Sequence, residues 1–100
     1  MKILIAPDKF KGSLNAAEVC SAITKGIKVN KSKHEIISCP MADGGEGSID
    51  IINNYLSLKP VELIVNDPLF RPIKSNYYFS DLTAYIEMSS ASGLSLLKKE

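Results

Sequence analysis

Lys2-Ile3-Leu4-Ile5-Ala6-Pro7 and Glu35-Ile36-Ile37-Ser38-Cys39-Pro40 decide the fold. Each is a short apolar run with β-branched residues, and each is stopped by a proline that cannot continue a ladder. The first, Lys2 to Ala6, reads as a buried strand, and Ile36 to Cys39 reads as a second one. Between them Asn15 stands at an N-cap position with Glu18 three residues on, the pattern of a capping box. Ala16, Val19, Cys20, Ile23 and Ile27 then recur at three- and four-residue spacings, which predicts a helix with one apolar face that fades near Val29. Strand, helix and strand with short connections make a βαβ unit, with parallel strands and a right-handed crossover.

Working outward, Met41 to Gly47 is a glycine-rich loop, and Ser48 is placed to cap a second helix with Ile49, Ile52, Tyr55 and Leu56 as its inner stripe. The periodicity then changes. Val61, Leu63 and Val65 alternate with polar residues, Ile73 to Phe79 is a second extended run, and Thr83 to Met88 is a third, with Ala84, Ile86 and Met88 on one face. The expected fold class is α/β: a parallel βαβ unit followed by the start of a β-rich antiparallel meander. A boundary falls near Ser57 to Pro60, so residues 1–59 read as part of an α/β domain and residues 60–100 as the beginning of a second, incomplete one. A sheet with two strands and an unfinished meander is not closed, so the sequence is expected to be a portion of a longer one.

Composition limits the function classes. The chain has 100 residues, 45% hydrophobic and 23% charged, with a formal net charge of +1. That balance carries no electrostatic footprint for nucleic acid. The nearest thing to a basic patch, Lys28, Lys31, Lys33 and His34, reads as a solvated helix end and loop, with His34 in water. Cys20 and Cys39 have no metal-ligand spacing and read as free thiols, which points to a reducing compartment. The apolar run at the N-terminus is too short for a signal-peptide core or a membrane span, so a cytoplasmic location is expected.

Three loops concentrate the reactive side chains, the first two directly after strands, where ligands of parallel α/β sheets gather. The first, Ala6 to Leu14, offers Asp8, Lys9, Lys11, Gly12 and Ser13. It reads either as a plain connection or as an anion site in which a lysine meets phosphate or carboxylate oxygens. The second, Pro40 to Ser48, holds Asp43, Gly44, Gly45, Glu46 and Gly47. Three glycines in four positions call for positive φ or a close backbone approach to a ligand. Asp43 and Glu46 could hold Mg²⁺, orient a hydroxyl or accept its proton. The spacing is neither a Walker A loop nor a dinucleotide fingerprint. The third loop, Glu87 to Leu94, supplies Ser89, Ser90, Ser92 and Gly93, either as serine caps of a turn or as a pocket wall for a polyhydroxy acid. Arg71 reads as a surface salt bridge, with a ligand carboxylate or phosphate as the alternative. Tyr77, Tyr78 and Phe79 read as packing.

Taken together, APDKFKGS (6–13), PMADGGEG (40–47) and IEMSSASGL (86–94), in this order and at these separations, resemble the N-terminal signatures of type I glycerate kinases. The resemblance implies a two-domain enzyme, Rossmann-like in its first domain, that phosphorylates D-glycerate with ATP and Mg²⁺. Matched residue by residue, it implies site roles for Asp8, Lys11 and Ser13, for Asp43, Gly44, Gly45, Glu46 and Gly47, and for Ser89, Ser92 and Gly93. Of these, Asp43, Asp8 and Lys11 are the candidate catalytic groups, Asp43 and Glu46 the candidate metal ligands, and the rest line the substrate and phosphates. The expected partners are glycerate and ATP, with no nucleic acid and no membrane. The family's later TGEG-containing signature is not in these residues, so the chain alone is not expected to turn over. A non-catalytic small-acid-binding module and a structural remnant are the other readings.

Overall fold

The computed structural model describes residues 1–30 and 33–97, and its backbone falls into two units, Met1–Asp43 and the residues from Gly44 onward. In the first unit β1 (Lys2–Ile5) and β2 (Glu35–Ser38) pair in parallel, with Lys2 opposite Glu35 and Ile5 opposite Ser38. The connecting helix α1 (Ala16–Val29) starts where the sequence places it. Asn15 Oδ1 accepts the Glu18 N–H at 2.9 Å and Glu18 Oε2 accepts the Asn15 N–H at 2.8 Å, so two otherwise orphaned donors are satisfied reciprocally.

Ala16, Val19 and Cys20 of α1 are buried, as is Ile5 of β1. Burying a side chain the size of valine or isoleucine contributes about 1.5–3 kcal/mol. The expectation that β1 is buried throughout is met only at Ile5; Leu4 is 63% exposed. Strand alternation explains this, because Ile3 and Ile5 share one face while Lys2 and Leu4 share the other. On α1 the stripe likewise weakens along its length, and Ile23 is 42% exposed. Cys20 and Cys39 are both free thiols, as expected. His34 is not the solvated side chain expected: it is half-buried, and its Nδ1 is buried without a hydrogen-bond partner among the described residues. Lys31 of the basic patch lies outside the described residues.

The second unit begins with α2 (Ser48–Asn53), followed by β3 (Lys59–Asn66), β4 (Pro72–Ser80) and β5 (Thr83–Tyr85) in an antiparallel sheet of order β3-β4-β5. The one-turn helix α3 (Ser89–Ser92) and a 3₁₀ turn (Leu94–Leu96) close the described residues. Parallel βαβ unit and antiparallel meander are both as the sequence implies. In β3 and β4 the register pairs Val61 with Tyr77, Leu63 with Ser75 and Val65 with Ile73, which sets these residues on one face. At one end of that face the Lys59 ammonium lies 5.9 Å from the centre of the Phe79 ring.

Two expectations are corrected here. The second helix is shorter than its apolar stripe implies and ends at Asn53, leaving Tyr55 71% exposed. Asn53 Oδ1 accepts the Leu58 N–H at 3.0 Å, which favours a turn over further helix and leads to the buried Leu58. The third strand ends at Tyr85, not Met88, so Ile86 and Met88 do not extend an inner face; each is 76% exposed. The chain leaves the sheet there because Glu87 and Met88 accept the hydrogen bonds that start α3.

The β3–β4 turn is built on Asp67, whose carboxylate is almost fully enclosed. Its Oδ1 accepts the N–H groups of Leu69 (2.8 Å) and Arg71 (2.9 Å), and its Oδ2 accepts Arg71 Nε–H at 2.7 Å. Arg71 is thus spent on the turn, and its terminal nitrogen also donates to the Leu96 carbonyl at 3.3 Å. Burial alone would push the Asp67 carboxyl up. The bonds from the Arg71 backbone, the Arg71 guanidinium and the Leu69 backbone, with the guanidinium charge, outweigh it and hold the pKa below the usual aspartate value. A folded pKa below the unfolded one stabilises the fold above the unfolded value and loses that contribution as pH falls through the folded one. The protein is therefore expected to lose stability on acidification below about pH 4. The Asp67→Asn variant should be less stable at neutral pH and less sensitive to acid over that range, as checked by urea denaturation at several pH values.

Candidate active site

Two of the three reactive loops follow β1 and β2. The parallel pairing continues past both strands, because the Cys39 N–H donates to the Ile5 carbonyl at 2.8 Å and the Met41 N–H to the Pro7 carbonyl at 2.9 Å. This continuation brings Asp8 and Asp43 to the same end of the sheet. Lys9 sits with both of them: its Nζ is 3.1 Å from Asp43 Oδ1 and 3.8 Å from Asp8 Oδ1. The Lys9 backbone N–H also donates to Asp8 Oδ1 at 2.7 Å. The two carboxylates are about half exposed, while the lysine side chain is 18% exposed.

Lys11 and Ser13 do not join this group. They lie on a tight turn in which the Phe10 N–H donates to the Leu14 carbonyl at 2.9 Å and the Phe10 carbonyl accepts from Ser13 and Leu14. Lys11 is exposed and makes no ion pair among the described residues. The sequence offers Lys9, like Lys11, only as a lysine that could meet an anion; its partner Asp43 is 34 residues away, beyond the reach of any local pattern.

The glycine-rich loop opens the second unit. Gly44 and Gly47 have φ of +90° and +87°, and no atom lies within 4 Å of where a Cβ would stand on either. Backbone conformation is thus sufficient reason for glycine at both positions. Ser48 does not cap α2 with its side chain. Its Oγ instead accepts the Gly44 N–H at 3.0 Å and fastens the loop on itself. The cap comes from a distant residue, since Glu87 Oε1 accepts the Ile49 N–H at 3.2 Å. The start of α2 is joined to the third loop through this bond, and its only sequence sign was a carboxylate beside the serine cluster. The Ser48 N–H donates to the Gly45 carbonyl, while the amides of Glu46 and Gly47 have no acceptor among the described residues. Glu46 is exposed.

In the third loop, Ser90 bonds the Glu87 carbonyl and the Ser75 hydroxyl, each at 2.8 Å. Ser89 Oγ is buried without a partner among the described residues, and Ser92 is exposed. Ser90, Ala91 and Ser92 border a cleft of about 260 Å³ against Leu63, Val65 and Tyr77 of the meander. Its lining is mainly apolar, a poor match for a polyhydroxy acid. Gly93 and Ser89 do not line it.

Among the described residues no three His, Cys, Asp or Glu side chains gather closely enough to hold a metal ion by themselves. Asp43 and Glu46, three residues apart in one loop, are carboxylates, the ligand type that magnesium takes. No helix among the described residues is long and apolar enough to cross a membrane.

The sequence profile of the glycerate kinase family matches residues 3–100. A glycerate kinase of Haemophilus influenzae is 43% identical over 102 residues, which cover 100% of this chain and 27% of that protein. A glycerate kinase of Bacillus cereus is 41% identical over 96 residues, 94% of this chain and 25% of its own length. The glycerate 2-kinase of Escherichia coli K12 is 39% identical over 102 residues, 100% and 27%. The crystal structure of a glycerate kinase 2 from Salmonella typhimurium LT2 aligns with a TM-score of 0.69 at 37% identity, over 98% of this chain and 27% of that one. The chain thus spans about a quarter of the length of the relatives it matches. A profile match over nearly every residue, together with the backbone likeness, places the chain in the glycerate kinase family.

Proposed function

We propose that the protein carrying this chain transfers the γ-phosphoryl group of ATP to a hydroxyl of D-glycerate, in the cytoplasm. The observation that carries the reading is the pair of carboxylates, Asp8 and Asp43, held together at the ends of adjacent parallel strands within a chain of this family. Phosphoryl transfer depends mainly on positioning and on neutralising the charge of the migrating group. In this reading Asp43 accepts the hydrogen bond of the attacking hydroxyl and takes its proton as the oxygen bonds to phosphorus and ADP leaves. Asp8 supports Asp43 from the neighbouring strand. Lys11 and Ser13, exposed on their turn, meet the phosphates or the substrate carboxylate.

The glycine-rich loop, Gly44 to Gly47 with Glu46, contributes the amides of Glu46 and Gly47 to an anion, and Ser89, Ser92 and Gly93 border the substrate. Magnesium, when bound with the nucleotide, supplies positive charge against the phosphate oxygens, and Asp43 and Glu46 are the acidic residues proposed to face it. Residues 1–59 are proposed to belong to an α/β domain and those from 60 onward to a second one. Because the chain spans about a quarter of its relatives' length, these residues alone are proposed to bind without turnover. The test is an assay of the full-length protein with MgATP and D-glycerate. ADP and phosphoglycerate should appear in equal amounts, and ADP without phosphoglycerate, or neither, would overturn the reading.

A further inference from the structure

We infer that Lys9 is a positioning residue that acts through Asp43, an assignment resting on the role just given to that carboxylate. Asp43 lies in a loop with no regular secondary structure, and its side chain is 55% exposed. The Lys9 ammonium, 3.1 Å from Asp43 Oδ1, pairs with one of its two oxygens. This differs from an ordinary surface ion pair in three ways. The lysine is 18% exposed, so most of its stem is already ordered and little side-chain entropy remains to be lost in making the bond. Its backbone is fixed by its N–H on Asp8 Oδ1 and by the adjoining Phe10–Leu14 turn. The same ammonium also faces Asp8 at 3.8 Å, so two carboxylates that would repel each other share one positive charge.

An acid that must present one oxygen to a substrate hydroxyl gains from having the other oxygen anchored, because a small misplacement of a reacting group is costly in rate. Lys9 therefore sets where Asp43 points, without itself touching the substrate.

The test is a double-mutant cycle in the full-length enzyme. Lys9→Met, which keeps most of the stem and removes the charge, should lower kcat by about tenfold while KM for glycerate moves less than about twofold. Lys9→Arg should restore most of the lost kcat. In the Asp43→Asn background, Lys9→Met should cost less than about twofold more, because its effect is carried by the carboxylate already removed. Thermal melting of each variant separates this from unfolding. Unchanged kcat in Lys9→Met, or a full additional tenfold loss on top of Asp43→Asn, would overturn the inference and leave the kinase reading standing. An Asp43→Asn enzyme with undiminished kcat would overturn both the role of Asp43 and that of Lys9.

Discussion

Asp43→Asn in the full-length enzyme is expected to lower kcat by about 10²–10³ with little change in KM for glycerate, because a group that handles the transferred proton acts in the transition state more than in ground-state binding. The substitution keeps the size and most of the shape of the side chain, and its amide oxygen can still accept from the Lys9 ammonium 3.1 Å away in the parent protein. What it loses is the negative charge and the ability to take a proton. A general collapse of the loops is not expected, since the Cys39–Ile5 and Met41–Pro7 backbone bonds do not involve the side chain. Steady-state kinetics with glycerate and ATP varied in turn decide the matter. A variant with parental kcat would remove Asp43 from the chemistry.

The second large effect is on stability, at Gly93. A Cβ built on this residue would stand 2.5 Å from the Ser89 carbonyl oxygen, inside any tolerable contact, and the obstacle is backbone, which cannot rotate away. That same oxygen accepts the Gly93 N–H at 3.0 Å, so moving it breaks the bond that ends α3. The disturbance would then reach the Ser90–Ser75 bond that links α3 to β4. Gly93→Ala is expected to cost about 1–3 kcal/mol, the usual scale of overpacking. Urea denaturation of the full-length protein would show this as a lower midpoint. Gly26→Ala, inside α1 with nothing within 4 Å of the new methyl group, serves as the control and should be neutral or stabilising by up to about 1 kcal/mol.

The features that the sequence disclosed are those with local causes. Asn15 and Glu18 fix the start of α1 because both halves of the reciprocal cap lie within one turn of chain. Proline-stopped apolar runs flanking a helix leave the parallel pairing of β1 and β2 as the economical arrangement, and alternation in Val61, Leu63 and Val65 predicts the meander. The features that stayed hidden have partners far away in sequence. Nothing near Lys9 announces Asp43, and nothing near Ile49 announces Glu87. Ser48 looked like a helix cap because it has the right residue type in the right place, but the loop before α2 took its hydroxyl first. Arg71 was legible as half of an ion pair, while the enclosure of Asp67 within the turn depends on how the chain wraps around it. For the site itself, the residue types and their placement after strands were legible, and the grouping of Asp8, Lys9 and Asp43 required the ladder that continues past both strands.

The two units also differ in the distance along the chain over which their strands must find each other. β4 meets β5 across the two residues Asp81 and Leu82, whereas Lys2 must reach Glu35 with a whole helix between them. A hairpin of the first kind closes in roughly microseconds, while a parallel crossover has to offset the entropy of a long closed loop before any hydrogen bond rewards it. During refolding of the complete chain the meander therefore has a head start. The junction that aligns Asp8 with Asp43 belongs to the slower half on refolding, and the two carboxylates meet Lys9 only once that half has assembled.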